Sequence, residues 1–371
     1  MVLLLLCIVF TVLLFWNIPL NTKKSSITNG FLVKKMSVII PARNEQTNIE
    51  RLLSSLKLQV VQPLEIIVVD DQSTDHTKQI AESFGVKVVD STLLPPQWQG
   101  KSWACWNGAE VANGDILVFV DADTLLEKSG LLRIAESYKR QQNRGVLTIH
   151  PFHKMNNLYE TFSMFFHFIV YASVGASSIW GKLFGLSGGF GQCMVCSRTD
   201  YYHLGGHETI KEAIVEHFTF ARFAKKQGQF VSAISGKGMI NMRMYPDGFK
   251  SFIQGWSKSF ASGAQASSFI SFLMISMWIT CLIMFLTESL SHLLVNPILY
   301  LLAYGILVLV LFNNARNIGN FTIVDTALFP LHVIVFLFIF VHSVIQTFIT
   351  KKNEWKGRYI YIQKGEDEEI K

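Results

Sequence analysis

The sequence predicts an α/β chain: a Rossmann-like, doubly wound parallel sheet set between an N-terminal membrane anchor and C-terminal transmembrane helices. Three observations predict it. From residue 36 onward, short apolar runs rich in β-branched residues alternate with amphipathic stretches, the pattern of βαβ units. The run Ile116-Leu-Val-Phe-Val120 is apolar on both faces, as a strand inside a parallel sheet must be, and it leads straight into Asp121-Ala-Asp123. Long uncharged stretches open the chain and fill much of its C-terminal end. Composition agrees, with 371 residues, 16% charged side chains, a formal charge of +6 and a mean hydropathy of +0.32. That hydropathy points to membrane segments, and the basic excess suits an anionic bilayer surface. There is no Lys/Arg stripe with interleaved aromatics, so nucleic acid is not an expected partner.

Residues 1–20 carry no charge and are long enough to span a bilayer. They lack the basic start and small-x-small site of a cleaved signal peptide, so they read as a retained signal-anchor. Lys23, Lys24, Lys34 and Lys35 follow, which by the positive-inside bias puts the next domain in the cytoplasm. Residues 21–35 read as a polar linker, and residues 36–263 as the main domain. Met36–Pro41 predicts a buried strand with Ala42-Arg-Asn-Glu45 as its exit loop. Ile49, Leu52, Leu53 and Leu56 then recur at helical spacing. A second strand, Glu65–Asp70, runs into Asp70-Asp71-Gln-Ser-Thr-Asp75, where Ser73 or Thr74 is expected to cap a helix beginning near Asp75. Val86–Val89 reads as a third strand.

Three strand ends therefore carry polar clusters: Arg43-Asn44-Glu45, Asp70-Asp71 and Asp121-x-Asp123. Ligands of open α/β sheets collect at the carboxyl ends of strands, so the three together predict a nucleotide site. Carboxylates one residue apart suit a hard divalent cation, Mg2+ or Mn2+, although Asp is also common in plain turns. The first strand lacks the dinucleotide fingerprint, and Gly188-Gly189-Phe190-Gly191 has Met194 where the third glycine belongs. Gly100-Lys101-Ser102 resembles the end of a phosphate-binding loop, but Pro95 stands where its first glycine is required. Hydride transfer and ATP hydrolysis are disfavoured accordingly. Cys7, Cys105, Cys193, Cys196 and Cys281 are odd in number and scattered, which suggests a reducing compartment. Cys193-x2-Cys196 precedes His203-x3-His207, with a central gap too short for a zinc finger.

Pro41-Ala-Arg-Asn-Glu45, Val68-Val-Asp-Asp-Gln-Ser-Thr-Asp75, Gly100-Lys101 and Asp121-Ala-Asp123 together resemble the family 2 glycosyltransferases. These are inverting enzymes of the GT-A fold that use nucleotide-diphospho-sugars and a divalent metal. The resemblance covers about residues 36–263. It implies that Pro41, Arg43, Glu45, Asp70, Asp71, Lys101 and Asp121 bind the donor, with Asp71 facing the uracil and Asp121 near the ribose. It also implies that Asp123, with Asp121, holds the Mg2+ or Mn2+. Val215-Glu216-His217 falls in a helix expected over Lys211–Lys226. Most relatives have Glu-Asp there, the Asp being the general base; here Glu216 is kept and His217 replaces the Asp, which leaves the base open. Phe252-Ile-Gln254-Gly-Trp256-Ser-Lys258 resembles a degenerate Gln-x-x-Arg-Trp element, which would put Gln254, Trp256 and Lys258 on the acceptor or diphosphate side. The plainer alternative is an amphipathic surface helix.

Residues 157–186 are apolar and aromatic, and either span the bilayer or form an interfacial or re-entrant element that guides a lipid-soluble acceptor. The second is expected, because the segment interrupts a cytosolic domain. Within residues 267–350, Phe269–Leu286, about 293–312 and about 327–349 are three more candidate spans. Three crossings would put Lys351, Lys352, Lys356 and Arg358 outside, against the positive-inside bias. Residues 351–371 form a charged tail, acidic at Glu366–Glu369. The order of parts resembles bacterial carotenoid-acid glycosyltransferases. That implies a multi-pass cell-membrane enzyme with a UDP-glucose donor, a hydrophobic carotenoid carboxylate as acceptor and a glucosyl ester as product. The residues alone reach a membrane-bound transferase of a nucleotide-sugar to an apolar acceptor. A hydroxyl-bearing lipid acceptor, a processive polysaccharide synthase and a non-catalytic scaffold are the rival readings.

Overall fold

The structure, a computed structural model, describes residues 2–21, 30–266, 268–346, 353–355 and 358–360. In chain order the strands of the main domain are β1 Met36–Ala42, β2 Glu65–Asp70, β3 Lys87–Asp90, β4 Ile116–Val120, β5 Thr124–Leu126, β6 Val146–His150, β7 Phe152–His153, β8 Cys193–Ser197, β9 Val231–Ser235 and β10 Ile240–Met242. Seven form one sheet in the order β3-β2-β1-β4-β8-β6-β9, and β5-β10-β7 form a second. The sheet is not wholly parallel as expected. β8 runs antiparallel to both β4 and β6, while the remaining pairs are parallel. After β6 the chain leaves through the apolar segment and re-enters at the same carboxyl end, so β8 runs back against its neighbours. Since Cys193 pairs with Val120, residues 187–192 arrive at the carboxyl end of β4, beside Asp121.

Strand alternation gives the sheet two apolar faces. Val38, Ile40, Val68, Val118 and Leu147 pack against Ile49, Leu52, Leu53 and Leu56 of helix Gln46–Lys57 and against Ile134 and Tyr138 of helix Gly130–Arg140. Ile39, Ile67, Val69, Leu117 and Phe119 pack on the other side against Ala104 and Cys105 of helix Gly100–Glu110 and Phe220 of helix Glu216–Lys226. All five residues of β4 are buried, so it is the sheet's spine. Two helix starts differ from expectation. The helix after β2 spans Thr77–Ser83 with no side-chain cap from Ser73 or Thr74. Those residues instead bind Asn44 across the loop, and Asp75 Oδ1 accepts the Thr77 N–H at 3.0 Å. The helix expected from Lys211 begins at Glu216, because Val215 takes φ −109°, ψ 74°, outside helical geometry.

A third core joins the N-terminal helix to the later apolar segments. Helix Val2–Leu14 packs with helices Met164–Val174, Phe269–Val295, Pro297–Ala315 and Phe329–Ile345 around Trp278. Trp278 is fully buried, stacks on Phe165 at 5.4 Å, and donates Nε1–H to Thr11 Oγ1 at 2.9 Å. The N-terminal helix has 13 residues, fewer than the span expected over 1–20. After Leu14 the chain turns down onto the main domain, where Pro19 O accepts the Ser235 N–H at 2.8 Å. Lys23 and Lys24 lie outside the described residues.

Among the described residues, three stretches are long and apolar enough to cross a membrane: Leu158–Phe184, Phe269–Thr287 and Pro297–Ala315. The first is not one rod. It breaks into Leu158–Thr161, Met164–Val174 and Ile179–Phe184, with Gly175 at φ +82° ending the middle piece, and 72% of its most apolar 18 residues are buried inside the protein. Helix Phe329–Ile345 is shorter, at 17 residues. The hairpin of Phe269–Val295 and Pro297–Ala315 begins and ends at the main domain. At its return, Ile318 O accepts the His153 N–H at 3.0 Å and Arg316 O accepts Lys237 Nζ at 2.7 Å. Its outward side chains, such as Ile298 (73% exposed) and Leu301 (61%), make an apolar belt that suits lipid. Lys351, Lys352, Lys356 and the tail from residue 361 lie outside the described residues, as does the Arg358 side chain.

Candidate active site

β1 and β2 lie in register with Ala42 opposite Asp70, so their exit loops run side by side. Arg43 Nη1 donates to Asp71 O at 2.6 Å and stands 3.7 Å from Asp71 Oδ2. Ser91 Oγ donates to Asp71 Oδ1 at 3.4 Å, and Asp70 Oδ2 accepts the Ser73 N–H at 3.1 Å. Glu45 donates its N–H to Thr77 Oγ1 at 2.7 Å and accepts Asn48 Nδ2 at 2.8 Å. Asn44 and Gln72 adopt φ near +55°, a region short polar residues tolerate, which lets both loops turn sharply at the sheet edge. Pro41 stands at this edge half-buried. The result is a rigid ledge with Asp71 buried at its base.

The second half is an ion cluster at the end of β4. Lys101 Nζ lies 2.6 Å from Asp121 Oδ1 and 2.5 Å from Glu216 Oε1. Lys101 sits in the first turn of helix Gly100–Glu110, and Glu216 opens helix Glu216–Lys226, where the helix dipole favours a carboxylate. Burial pulls the Lys101 ammonium down, but Asp121 and Glu216 hold it above its ordinary value. Burial pushes Asp121 up to about 7 against the pull of Lys101, and the Asp123 and Glu216 carboxylates push the same way. Two carboxylates thus share one ammonium, and a third, Asp123, bears on Asp121. A hard divalent cation fits such an oxygen-rich, over-acidic set, and the sequence reading of Mg2+ or Mn2+ at Asp121 and Asp123 is chemically consistent with it.

The Gly188-Gly189 pair has a packing reason. A Cβ on Gly188 would stand 2.5 Å from the Phe218 ring, and one on Gly189 would stand 2.6 Å from Thr148 Cγ2. This close passage brings the Gly191 carbonyl within 3.4 Å of Lys101 Nζ and 2.6 Å of His217 Nδ1. His217 itself is fully buried beside Phe119 and His207. Burial, with Lys101 nearby, takes its imidazole down to about 3, so it is neutral. The structure therefore brings Asp121, Lys101 and Glu216 together and turns His217 inward behind them. Gln254 is exposed on helix Phe249–Ala266, while Trp256 is 7% exposed and stacks on Phe166 at 4.5 Å. The Tyr245 ring lies 5.9 Å from Trp256, and its phenol is raised by burial and then by Asp123. The Lys258 side chain lies outside the described residues. Sequence reading missed Tyr245 and Ser91; neither sits in a motif, and Tyr245 is marked only by a φ of +54°. Cys193 and Cys196 belong to cores on opposite faces of the sheet, and His203 is exposed, so that array does not converge.

A mixed sheet with an Asp-x-Asp at its central strand end and a polar ledge beside it is the arrangement of a glycosyltransferase of the GT-A type. Residues 37–199 match the sequence model of glycosyl transferase family 2, and the chain belongs to that family. It is 34% identical over 340 residues, covering 90% of each chain, to the 4,4'-diaponeurosporenoate glycosyltransferase of Staphylococcus haemolyticus (strain JCSC1435). The enzyme of the same name from Staphylococcus aureus (strain USA300) is 32% identical over 345 residues, 91% of each chain. Among solved structures, a mannosyltransferase from Pyrobaculum calidifontis in complex with GDP-Man and Mn2+ superposes with a TM-score of 0.52 at 14% identity, covering 94% of this chain and 99% of that one. That likeness is one of fold.

Proposed function

We propose that this enzyme moves glucose from UDP-glucose to the carboxylate of 4,4'-diaponeurosporenoate, forming a glucosyl ester in staphyloxanthin-type carotenoid biosynthesis. The observation that carries this reading is the 34% identity over 90% of both chains to an enzyme named for that acceptor, because such coverage takes in the apolar helices as well as the sheet.

In this reading Pro41, Arg43, Glu45, Asp70 and Asp71 hold the uridine against the ledge, with Asp71 facing the uracil and Asp121 near the ribose. Asp123 and Asp121 would hold Mg2+ or Mn2+, which neutralises the diphosphate as it leaves. Lys101, kept charged by Asp121 and Glu216, faces the donor. The acceptor carboxylate oxygen attacks the anomeric carbon from the face opposite the diphosphate. The bond from that carbon to the diphosphate oxygen breaks with its electron pair going to UDP, and the configuration inverts. A carboxylic acid has an intrinsic pKa near 4, so the acceptor is ionised at neutral pH and needs no base to remove a proton. Glu216 then orients Lys101 and the acceptor, and His217 supports it from behind. Gln254, Trp256 and Lys258 line the acceptor side, and the apolar segment 157–186 feeds the carotenoid from the bilayer.

The domain faces the cytoplasm in this reading. One membrane hairpin, Phe269–Val295 out and Pro297–Ala315 back, returns the C-terminal lysines to the same side. The test is to incubate membranes containing the enzyme with labelled UDP-glucose and the carotenoid acid, and to weigh the product. An alkali-labile hexosyl ester is expected. A hexoside of a hydroxyl lipid, or a polymer, would overturn the assignment.

A further inference from the structure

Behind the ion cluster, Cys105, His207 and His217 meet in an arrangement to which sugar transfer gives no role beyond the support His217 lends Glu216. One sulfur and two ring nitrogens lie within 4.8 Å of one another, and all three residues are fully buried. They come from three elements: helix Gly100–Glu110, the 3-10 turn Gly206–Ile210 and the start of helix Glu216–Lys226. Each imidazole is fixed through Nδ1, His217 to Gly191 O at 2.6 Å and His207 to Tyr201 Oη at 2.8 Å. A carbonyl only accepts, so His217 Nδ1 carries the proton and its Nε2 presents a bare lone pair. Both Nε2 atoms are buried with no hydrogen-bond partner. Orphaned polar atoms of this kind are rare and costly, and two of them on histidines clustered with one thiol call for a ligand. One ring nitrogen held by a carbonyl or hydroxyl while the other faces inward is the usual support of a metal-binding histidine.

We propose that Cys105, His207 and His217 form a second metal site that takes a borderline-soft divalent ion, Zn2+ by preference, and ties helix Glu216–Lys226 to helix Gly100–Glu110. Donor softness separates it from the acidic site: thiolate and imidazole favour Zn2+, whereas Asp121 and Asp123 favour Mg2+ or Mn2+. Binding exchanges the Cys105 S–H bond for a Zn–S bond, and the proton leaves to solvent. With Zn–N near ~2.1 Å and Zn–S near ~2.3 Å, the three ligand atoms need to close up by only about 1 Å. Cys105 lies one helical turn after Lys101, and His217 directly follows Glu216, so the ion would set the spacing of the Lys101–Glu216 pair. A histidine where the family resemblance leads one to expect Asp is the residue this site requires.

The test uses tag-free, full-length protein purified in detergent from zinc-supplemented cells without chelator. Elemental analysis should find about one zinc per chain, and cobalt substitution should produce a thiolate-to-cobalt charge-transfer band. Cys105→Ser and His207→Gln should each lower bound zinc at least tenfold and abolish the band. His153→Gln alters the separate cluster of His150, His153 and His167 and should leave the band intact. Wild-type protein with no zinc and no band, or a Cys105→Ser protein that keeps both, overturns the proposal. If a variant fails to accumulate, the wild-type zinc content and band decide. None of these readouts needs donor or acceptor, so they stand whichever sugar or lipid the enzyme uses.

Discussion

Lys101 is the residue on which the site balances, since it is the ammonium shared by Asp121 and Glu216. The carboxylate whose loss should matter most is Asp123. Asp123→Asn should lower kcat/KM by several orders of magnitude, because charge stabilisation in the transition state is usually the largest single contribution. Steady-state kinetics on the variant checks this, and full wild-type activity in excess chelator would contradict the metal role. His217→Ala, by contrast, should lose about tenfold or less, well short of a general base worth roughly 10²–10⁴. The wild-type and His217→Ala rates should share one pH profile from about pH 6 to 8, because a neutral His217 adds no ionisation near the reference His value of about 6.5, and Asp121, pushed up to about 7, is the site group that titrates there. Stability has its own pH signature. Burial holds His150 down at about 4 and His217 at about 3, below their unfolded value of about 6.5. Below that value the unfolded chain takes up protons that the folded chain refuses. Stability is therefore fully present above about pH 6.5 and lost as pH falls, and Tm in detergent should drop between pH 6.5 and 5.

At the scale of elements, two devices build the site. The antiparallel entry of β8 carries residues 187–192 across the end of β4, where Gln192 O accepts the Asp121 N–H at 3.0 Å. The late start of helix Glu216–Lys226 puts Glu216 at its positive end, facing Lys101. The apolar elements are held by a different centre. Trp278 joins the N-terminal helix, helix Met164–Val174 and helix Phe269–Val295 in one core. Trp278→Ala should cost about 3–5 kcal/mol through its cavity, with further loss from the unpaired Thr11 hydroxyl. Denaturant or thermal unfolding in detergent measures it, and kcat of the remaining folded enzyme should change little.

For the whole molecule, the main issue is which side of the membrane each part occupies. Lys78 lies at the surface of helix Thr77–Ser83, 37% exposed, and the native cysteines are all buried. A cysteine introduced at position 78 should resist an impermeant thiol reagent in intact cells and react after permeabilisation. A cysteine appended after Lys371 should behave the same way if a single hairpin crosses the bilayer. Opposite labelling of the two would require an odd number of crossings between them.

Much of this protein was legible in its sequence, because the decisive signals are local. Five buried residues before Asp121-Ala-Asp123, the Arg43 and Asp71 loops and the uncharged runs each announce themselves within about ten residues, since strand burial and helix periodicity are short-range patterns. Sequence could not give the direction of β8, because an apolar pentapeptide packs equally well either way and only the path of residues 157–192 chooses. It also left the count of membrane crossings unresolved. Length and hydropathy treat Leu158–Phe184 like Pro297–Ala315, while only packing separates a segment broken and buried in protein from one exposed along its length. The inward turn of His217, the sharing of Lys101 and the meeting of Cys105 with His207 were likewise decided by tertiary structure. They join residues about a hundred positions apart, and contacts at that range leave no period in the chain.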